Sequence, residues 1–287
     1  MEADRGSALW GLLRKGGLAK TLYAGSVAAR NVLLGANLAS LPLVLRPRKM
    51  VEYVSESLFL YKAMSGRRGL PEKNVYKLLP AEEHQSIVLG HLRDPLDRTF
   101  FFHIPSYASD IVSLCLICQI LKPKVVFEIG TAHGFSALHF ALNTGADATV
   151  YTLDLPQGQE IHPKLRTTLR DLEQSAGSLG EQNGYWFDGI DAGSKVTCLF
   201  GDSATFDFSR FHRRVDFFFI DGAHSYEYVR SDTLNAFACC HPGSIIAWHD
   251  FGRVGVNGVS RWLLELSKDL EIYSIPGGSL AVMLVGP

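Results

Sequence analysis

Acids and histidines recur at short spacing late in this chain: Asp221 and His224 in IDGAHS, then His249 and Asp250 in AWHDF. Each group follows an apolar run, so the groups meet if those runs are neighbouring strands. Asp221, His249 and Asp250 then offer two carboxylates and an imidazole. That mixed oxygen and nitrogen set suits a divalent ion, Mg or Mn, or a transition metal. Such an ion can hold two vicinal oxygens of a substrate and lower the pKa of one hydroxyl. The plainer alternative leaves Asp221 and Asp250 as loop caps. An unperturbed histidine, with a pKa of about 6.5, suits His224 to general-base work on a hydroxyl. Its alternative is a ring that bonds a neighbouring loop.

A second constellation lies earlier, in VVFEIGTAHGFSALHFA at 125–141. An apolar run ends at Glu128, Gly130 and Gly134 punctuate a tight turn, and a helical pattern follows. The spacing misses the dinucleotide fingerprint G-x-G-x-x-G, because Ala132 and Phe135 stand at its third and sixth positions. Glu128 also argues against a phosphate, since a carboxylate repels phosphate and attracts an ammonium or sulfonium. Asp154 ends the next apolar run, where an acid can accept from ribose hydroxyls. Asp202 ends the third, in LFGDSA, placed to meet an adenine. Acids at three successive strand ends, with no Lys or Arg there, describe a cationic nucleoside.

Strands and helices must alternate to bring these residues to one edge, and from residue 124 they do. KVVFEIG, ATVYTLDLP, KVTCLFGDS, VDFFFIDG and PGSIIAWHDF read as buried strands, with helical patterns between most of them. SDIVSLCLICQILKP reads as a helix capped at Ser109 or Asp110 and ended by Pro123. LEIYSI and SLAVMLVG flank PGG as a terminal hairpin. The expected fold class is therefore α/β, a mostly parallel sheet covered by helices on both faces. The region 155–195 carries a helix around KLRTTLRDLEQSAG. Ligands of such a sheet sit at the carboxyl ends of its strands.

With 287 residues, 47% of them hydrophobic and 20% charged, the chain suits one large domain plus an extension. Residues 1–80 hold 13 Lys and Arg against 5 Asp and Glu, a local excess of +8 in a chain of net charge -1. That front segment meets something anionic or the acidic body of its own fold. It reads as a helical extension, a lid or a homodimer contact, ahead of a ligand-binding domain over 81–287. Its apolar stretch at 32–45 is short of the ~20 residues that span a bilayer. It could lie on a membrane surface instead. No signal peptide is evident, and five cysteines form no disulfide pattern, so a cytoplasmic, reducing setting is expected. The C-x-x-C of Cys115 and Cys118 lies in an apolar run and reads as core packing rather than a metal or redox site. No base-clamping motif and no aromatic-interleaved basic strip is present, which excludes nucleic acid as a partner.

EIGTAHGFS, LDLP, GDSA and IDGAHSYE with PGSIIAWHDF resemble the class I S-adenosylmethionine-dependent methyltransferases. They are most similar to the small-molecule O-methyltransferase branch with catechol, macrocin-type and macrolide-sugar enzymes. The likeness covers roughly 105–287. It implies a Rossmann-like seven-stranded sheet of order 3-2-1-4-5-7-6 with the last strand antiparallel. Glu128, Gly130 and Gly134, with Thr131 and Ser136 of the same turn, would hold the methionine and sulfonium end of the cofactor. Asp154 would take the ribose, Asp202 and Ser203 would border the adenine, and Asp221 would touch the cofactor from the fourth strand. Ala132 replaces the middle glycine of the commonest form. In metal-dependent relatives an acid follows strand four and an acid pair follows strand five. Asp221 matches the first and His249-Asp250 occupies the pair, with His249 departing from a carboxylate. DGAH resembles the D-x-x-H arrangement of macrolide-sugar enzymes, which makes His224 the base and Asp221 its companion in catalysis. The function implied is methyl transfer to a hydroxyl of a small molecule such as a sugar, phenol or natural-product scaffold. A hydroxylase of the same fold and a non-catalytic cofactor-binding scaffold are the alternatives.

Overall fold

In the computed structural model the described residues are 69–81, 85–90, 105–156, 162–168, 171, 185–253 and 256–286. The readings of the front segment up to residue 68, and most of the helix expected around 164–177, lie outside them. The described chain contains helices α1 (Val75–Leu78), α2 (Pro105–Leu121), α3 (Phe135–Leu142), α4 (Tyr226–Cys239) and α5 (Asn257–Leu266). Seven strands accompany them: β1 (Val125–Ile129), β2 (Thr149–Asp154), β3 (Val196–Phe200), β4 (Val215–Ile220), β5 (Cys240–Trp248), β6 (Tyr273–Ser274) and β7 (Ala281–Leu284). The sheet order is β3-β2-β1-β4-β5-β7-β6. Strands β1 to β5 are mutually parallel, and β7 runs antiparallel between β5 and β6. This is the Rossmann-like strand order expected from the sequence, with the last strand antiparallel, and the hairpin read from the sequence is β6-β7.

The central strands are apolar on both faces because helices cover both. On one face Val126, Phe217, Phe219 and Ile245 pack against α2 and α3. On the other, Phe127, Phe218, Ile246 and Trp248 pack with Val229 of α4 and Val259 and Leu263 of α5. Successive side chains of β4 point to opposite sides, so VDFFFI feeds both cores at once. Residues 70–78 join these cores as well. Leu70, Val75 and Leu78 are buried, Glu72 bridges to Ser274, and the Lys73 N–H donates to the Ser274 carbonyl at 3.0 Å.

Helix α2 begins four residues before the expected cap, so Asp110 lies inside the helix rather than at its start. Its carboxylate is almost fully buried and serves a distant partner, described below. Burial also raises the Cys115 thiol to about 12 and Cys118 well above its ordinary value, which keeps both as packing groups. Among the described residues no helix is long and apolar enough to cross a membrane.

What positions the site is a row of backbone hydrogen bonds one residue past the strand ends. Gly130 donates to the Leu153 carbonyl at 2.9 Å, Gly201 to Asp154 at 2.9 Å, Asp221 to Ile129 at 2.9 Å and His249 to Ile220 at 3.0 Å. The carboxyl ends of five parallel strands are thereby held in step before any side chain contributes. Gly130 sits at φ 100°, and a Cβ there would lie 2.1 Å from the Asp221 carbonyl oxygen. Only glycine permits β1 and β4 to end this close together.

Candidate active site

The first half of the site surrounds the turn after β1. Glu128 is fully buried and faces its register partner across β2: Thr152 donates to Oε2 at 2.5 Å, and Ser136 at the start of α3 donates to Oε1. The Thr131 and Thr152 hydroxyls share a further bond of 2.6 Å. Burial outweighs those bonds and, with the charges of Asp221 and Asp154, raises the Glu128 pKa to about 8. The turn itself uses Ala132 at φ 44°, the left-handed region where glycine is usual. The Ala132 N–H donates to Asp154 Oδ2 at 2.8 Å, and the Leu155 N–H to Oδ1 at 2.7 Å. Burial raises the Asp154 pKa despite these bonds. Gly134, at φ 74°, caps α3.

Asp202 closes this half. It accepts from the backbone of Lys164 and Ala204 at 2.8 and 2.9 Å and from the Tyr228 hydroxyl at 2.8 Å. Ser203, beside it, is nearly buried. His133, an exposed residue of the turn, offers its carbonyl to the Trp186 N–H at 3.1 Å. The acids and small residues read from the sequence thus share one edge, and Glu128 turns its carboxylate inward from it.

The second half is a buried network of acids and cations after β4 and β5. His249 lies between carboxylates on both sides of its ring. Nδ1 is 3.1 Å from Asp221 Oδ1 and 3.3 Å from Asp250 Oδ1, while Nε2 is 3.2 Å from Asp110 Oδ2. Burial alone would lower its pKa, but these charges raise it well above the ordinary value. His224 has a similar setting, with Nδ1 2.6 Å from Asp171 Oδ1 and Nε2 2.9 Å from Asp250 Oδ2. Burial again opposes the charged ring, and the two carboxylates prevail, raising the pKa to about 9. Asp250 sits at φ 63° and meets both histidines and the Arg253 guanidinium, which is 2.6 Å away. Burial would raise its pKa, but those three cations hold it well below the usual carboxylate range. A left-handed backbone at a non-glycine residue marks a strained, over-determined position.

Asp221, His224, His249 and Asp250 are therefore brought together as the sequence implied. Three members were not singled out there: Asp110, Asp171 and Arg253. Asp110 resembled a helix cap, and Asp171 lay unmarked in a helical pattern. Arg253 stands three residues after Asp250, where the sequence carries no marker of the site. Tyr226 and Trp248 are packing residues beside the site. Trp248 is fully buried, and Tyr226 bonds Glu265 while its ring meets Trp262 edge-on. Arg213 and Arg214 form an exposed turn before β4.

Residues 127–251 match the family model described as "Methyltransferase domain". No curated protein matches the chain. Several solved structures are similar to it. One is the O-methyltransferase TomG of Streptomyces achromogenes, involved in tomaymycin synthesis and in complex with SAM. It is 17% identical, with 66% of this chain and 86% of that chain covered and a TM-score of 0.42. An O-methyltransferase from Bacillus cereus in complex with SAH is 16% identical, with 66% and 88% covered and a TM-score of 0.44. The SAH-bound Podospora anserina methyltransferase PaMTH1 is 13% identical, with 70% and 100% covered and a TM-score of 0.44.

Proposed function

We propose, from the match of residues 127–251 to a methyltransferase-domain model, that the chain is a class I S-adenosylmethionine-dependent enzyme that methylates a hydroxyl oxygen of a small molecule with the help of a divalent ion. The observation that carries this is the junction of two unlike half-sites on one sheet edge. One half is acidic and fits a cationic nucleoside; the other combines a histidine base with carboxylates that can gather around an ion.

The cofactor half fits the group it would hold. Asp154 is a carboxyl group whose pKa burial raises, and a cationic ligand at this edge relieves that cost, whereas Glu128, turned inward to Ser136 and Thr152, would act only by bracing the turn. S-adenosylmethionine supplies there a methyl group made electrophilic by its sulfonium. Asp154 keeps acceptor capacity for ribose hydroxyls beyond its two backbone bonds. Asp202 and Ser203 would flank the adenine, and the main chain of Gly130 to Gly134 would hold the methionine end.

The ion half fits as well. Among the described residues the donor atoms that lie within 4.8 Å of one another come from Asp221, His224 and Asp250, so the histidine of that set is His224. His249 Nδ1 faces both carboxylates at 3.1 and 3.3 Å and would complete the sequence-derived set only after losing its proton. Asp221, His249 and Asp250 would hold the ion, Mg or Mn, which would orient substrate oxygens and lower the pKa of one of them. A ring nitrogen must shed its proton to become a ligand. His224 is the base. Asp171 holds its Nδ1, so Nε2 is the nitrogen that would take the hydroxyl proton, once it has parted from Asp250 and given up the proton that the two carboxylates hold there. The flanking carboxylates stabilise the imidazolium so formed. Asp221, the partly exposed acid of the cluster, faces the incoming oxygen.

The substrate is a small hydroxylated compound, with the front segment as its lid or as a homodimer contact. Five free thiols accord with a cytoplasmic setting. Calorimetric titration of S-adenosylmethionine into the protein tests the reading. Micromolar binding that weakens at least tenfold in Asp154→Ala is expected. Absence of binding, with and without Mg or Mn, would overturn it.

A further inference from the structure

The helix before the first strand and the hairpin at the far end of the sheet meet behind the site, and one carboxylate joins them. Asp110 of α2 is 1% exposed, which demands partners for both its oxygens. Oδ1 accepts the Ser279 N–H at 2.8 Å and Oδ2 accepts the Ser279 hydroxyl at 2.8 Å. Ser279 lies in the β6-β7 turn, and its carbonyl accepts the Phe251 N–H at 2.8 Å, beside Asp250. The close approach is built into the turn. A Cβ on Gly278 would lie 1.7 Å from Asp110 Oδ1, so no larger residue fits there.

The same carboxylate reaches His249. Its Oδ2 is 3.2 Å from Nε2, and the Ser279 hydroxyl is 3.4 Å from that nitrogen. The other ring nitrogen looks forward, to Asp221 and Asp250. A histidine ligand is oriented by what its second nitrogen bonds, and a carboxylate there fixes both the ring plane and the nitrogen that keeps the proton.

We propose that Asp110 is the positioning residue of His249: clamped by Ser279, it fixes the ring plane through Nε2 so that Nδ1 faces Asp221 and Asp250. This rests on the ion reading of the site given above. Asp110 touches neither substrate nor cofactor, and acts only through the ring.

The test compares wild type with Asp110→Asn, which keeps the side-chain volume and an oxygen for the Ser279 N–H. Its amide can turn an N–H toward Nε2 and so send the ring proton to Nδ1. Mn is titrated calorimetrically, S-adenosylmethionine is titrated separately, and the 15N signals of the His249 ring are read in the Mg-loaded protein. A loss of about 10–100-fold in Mn affinity is expected, with S-adenosylmethionine affinity within about threefold. The Nε2–H signal should be present in wild type and lost in the variant. Unchanged Mn affinity, or a wild-type ring protonated on Nδ1 alone, would overturn the proposal. Ser279→Ala, which removes one clamp, should give a smaller loss in the same direction, and no loss would count against the clamp. If wild type takes up no ion at all, the ion reading fails by itself. The ring signals then decide: an exchange-protected Nε2–H that disappears in Asp110→Asn sustains the positioning role, and identical spectra end it.

Discussion

Asp171 holds His224 at two points, accepting its backbone N–H at 3.0 Å and facing ring Nδ1 at 2.6 Å with the same oxygen. One carboxylate thus fixes both where the residue sits and how its ring turns. His224→Ala should slow methyl transfer by about 10²–10⁴, the usual weight of a positioned base. Asp171→Asn should lose a part of that. The double variant should be no slower than His224→Ala alone, because Asp171 acts through the ring. Additive losses in the rate measurement would mean that Asp171 has a separate role.

Glu128 sets a pH dependence of stability. Its folded pKa of about 8 exceeds the ordinary 4.5, so between these values the folded state binds more protons than the unfolded one. The stability of the cofactor-free protein therefore falls as pH rises from about 4.5 to 8, by on the order of 5 kcal/mol from this group. Asp232, buried and raised to about 7, adds in the same direction. Denaturant unfolding of wild type and Glu128→Gln across that range should show the shallower slope in the variant. Parallel curves would contradict the assignment.

One hydroxyl serves two indoles. Thr233 Oγ1 accepts from Trp248 Nε1 at 2.9 Å and from Trp262 Nε1 at 3.0 Å while donating to the Val229 carbonyl at 2.6 Å. It is saturated, and it joins β5, α4 and α5 behind the site. Thr233→Val keeps the shape but strands two buried N–H donors, at about 1–3 kcal/mol each. Thermal unfolding should show a loss of about 2–5 kcal/mol, and Thr233→Ser should restore most of it.

Gly130→Ala should be far worse than its size implies. The new methyl would meet the Asp221 carbonyl oxygen, and the left-handed backbone adds strain. The two together should cost about 2–6 kcal/mol, and S-adenosylmethionine affinity should fall with stability in calorimetry. A variant with wild-type midpoint and affinity would show that β1 and β4 can part without loss.

The parallel strands were legible because apolar runs such as VDFFFI end in an acid or glycine, a boundary that periodicity marks sharply. Asp154, Asp202, Asp221 and Asp250 stood out for the same reason: an acid at a strand end is local information. Asp110 and Asp171 were not legible. Each works across a long loop of chain, and nothing in SDIVSL or LRDLEQ distinguishes a clasp from a cap or a solvated helix position. The inward turn of Glu128 was equally hidden, since it depends on Thr152 lying opposite in register. Ala132 at φ 44° shows that the missing glycine left the turn intact.

The strand that covers β5 is the last one made. Until β7 emerges, β5 carries an open apolar edge, and His249 lacks the serine that clamps Asp110 behind it. On a ribosome that interval lasts on the order of seconds. Nascent chains are therefore sticky and inert together, and both conditions end when the hairpin zips in. A premature stop codon just before Ser279 would produce a protein that holdase chaperones bind and that never gains a finished site.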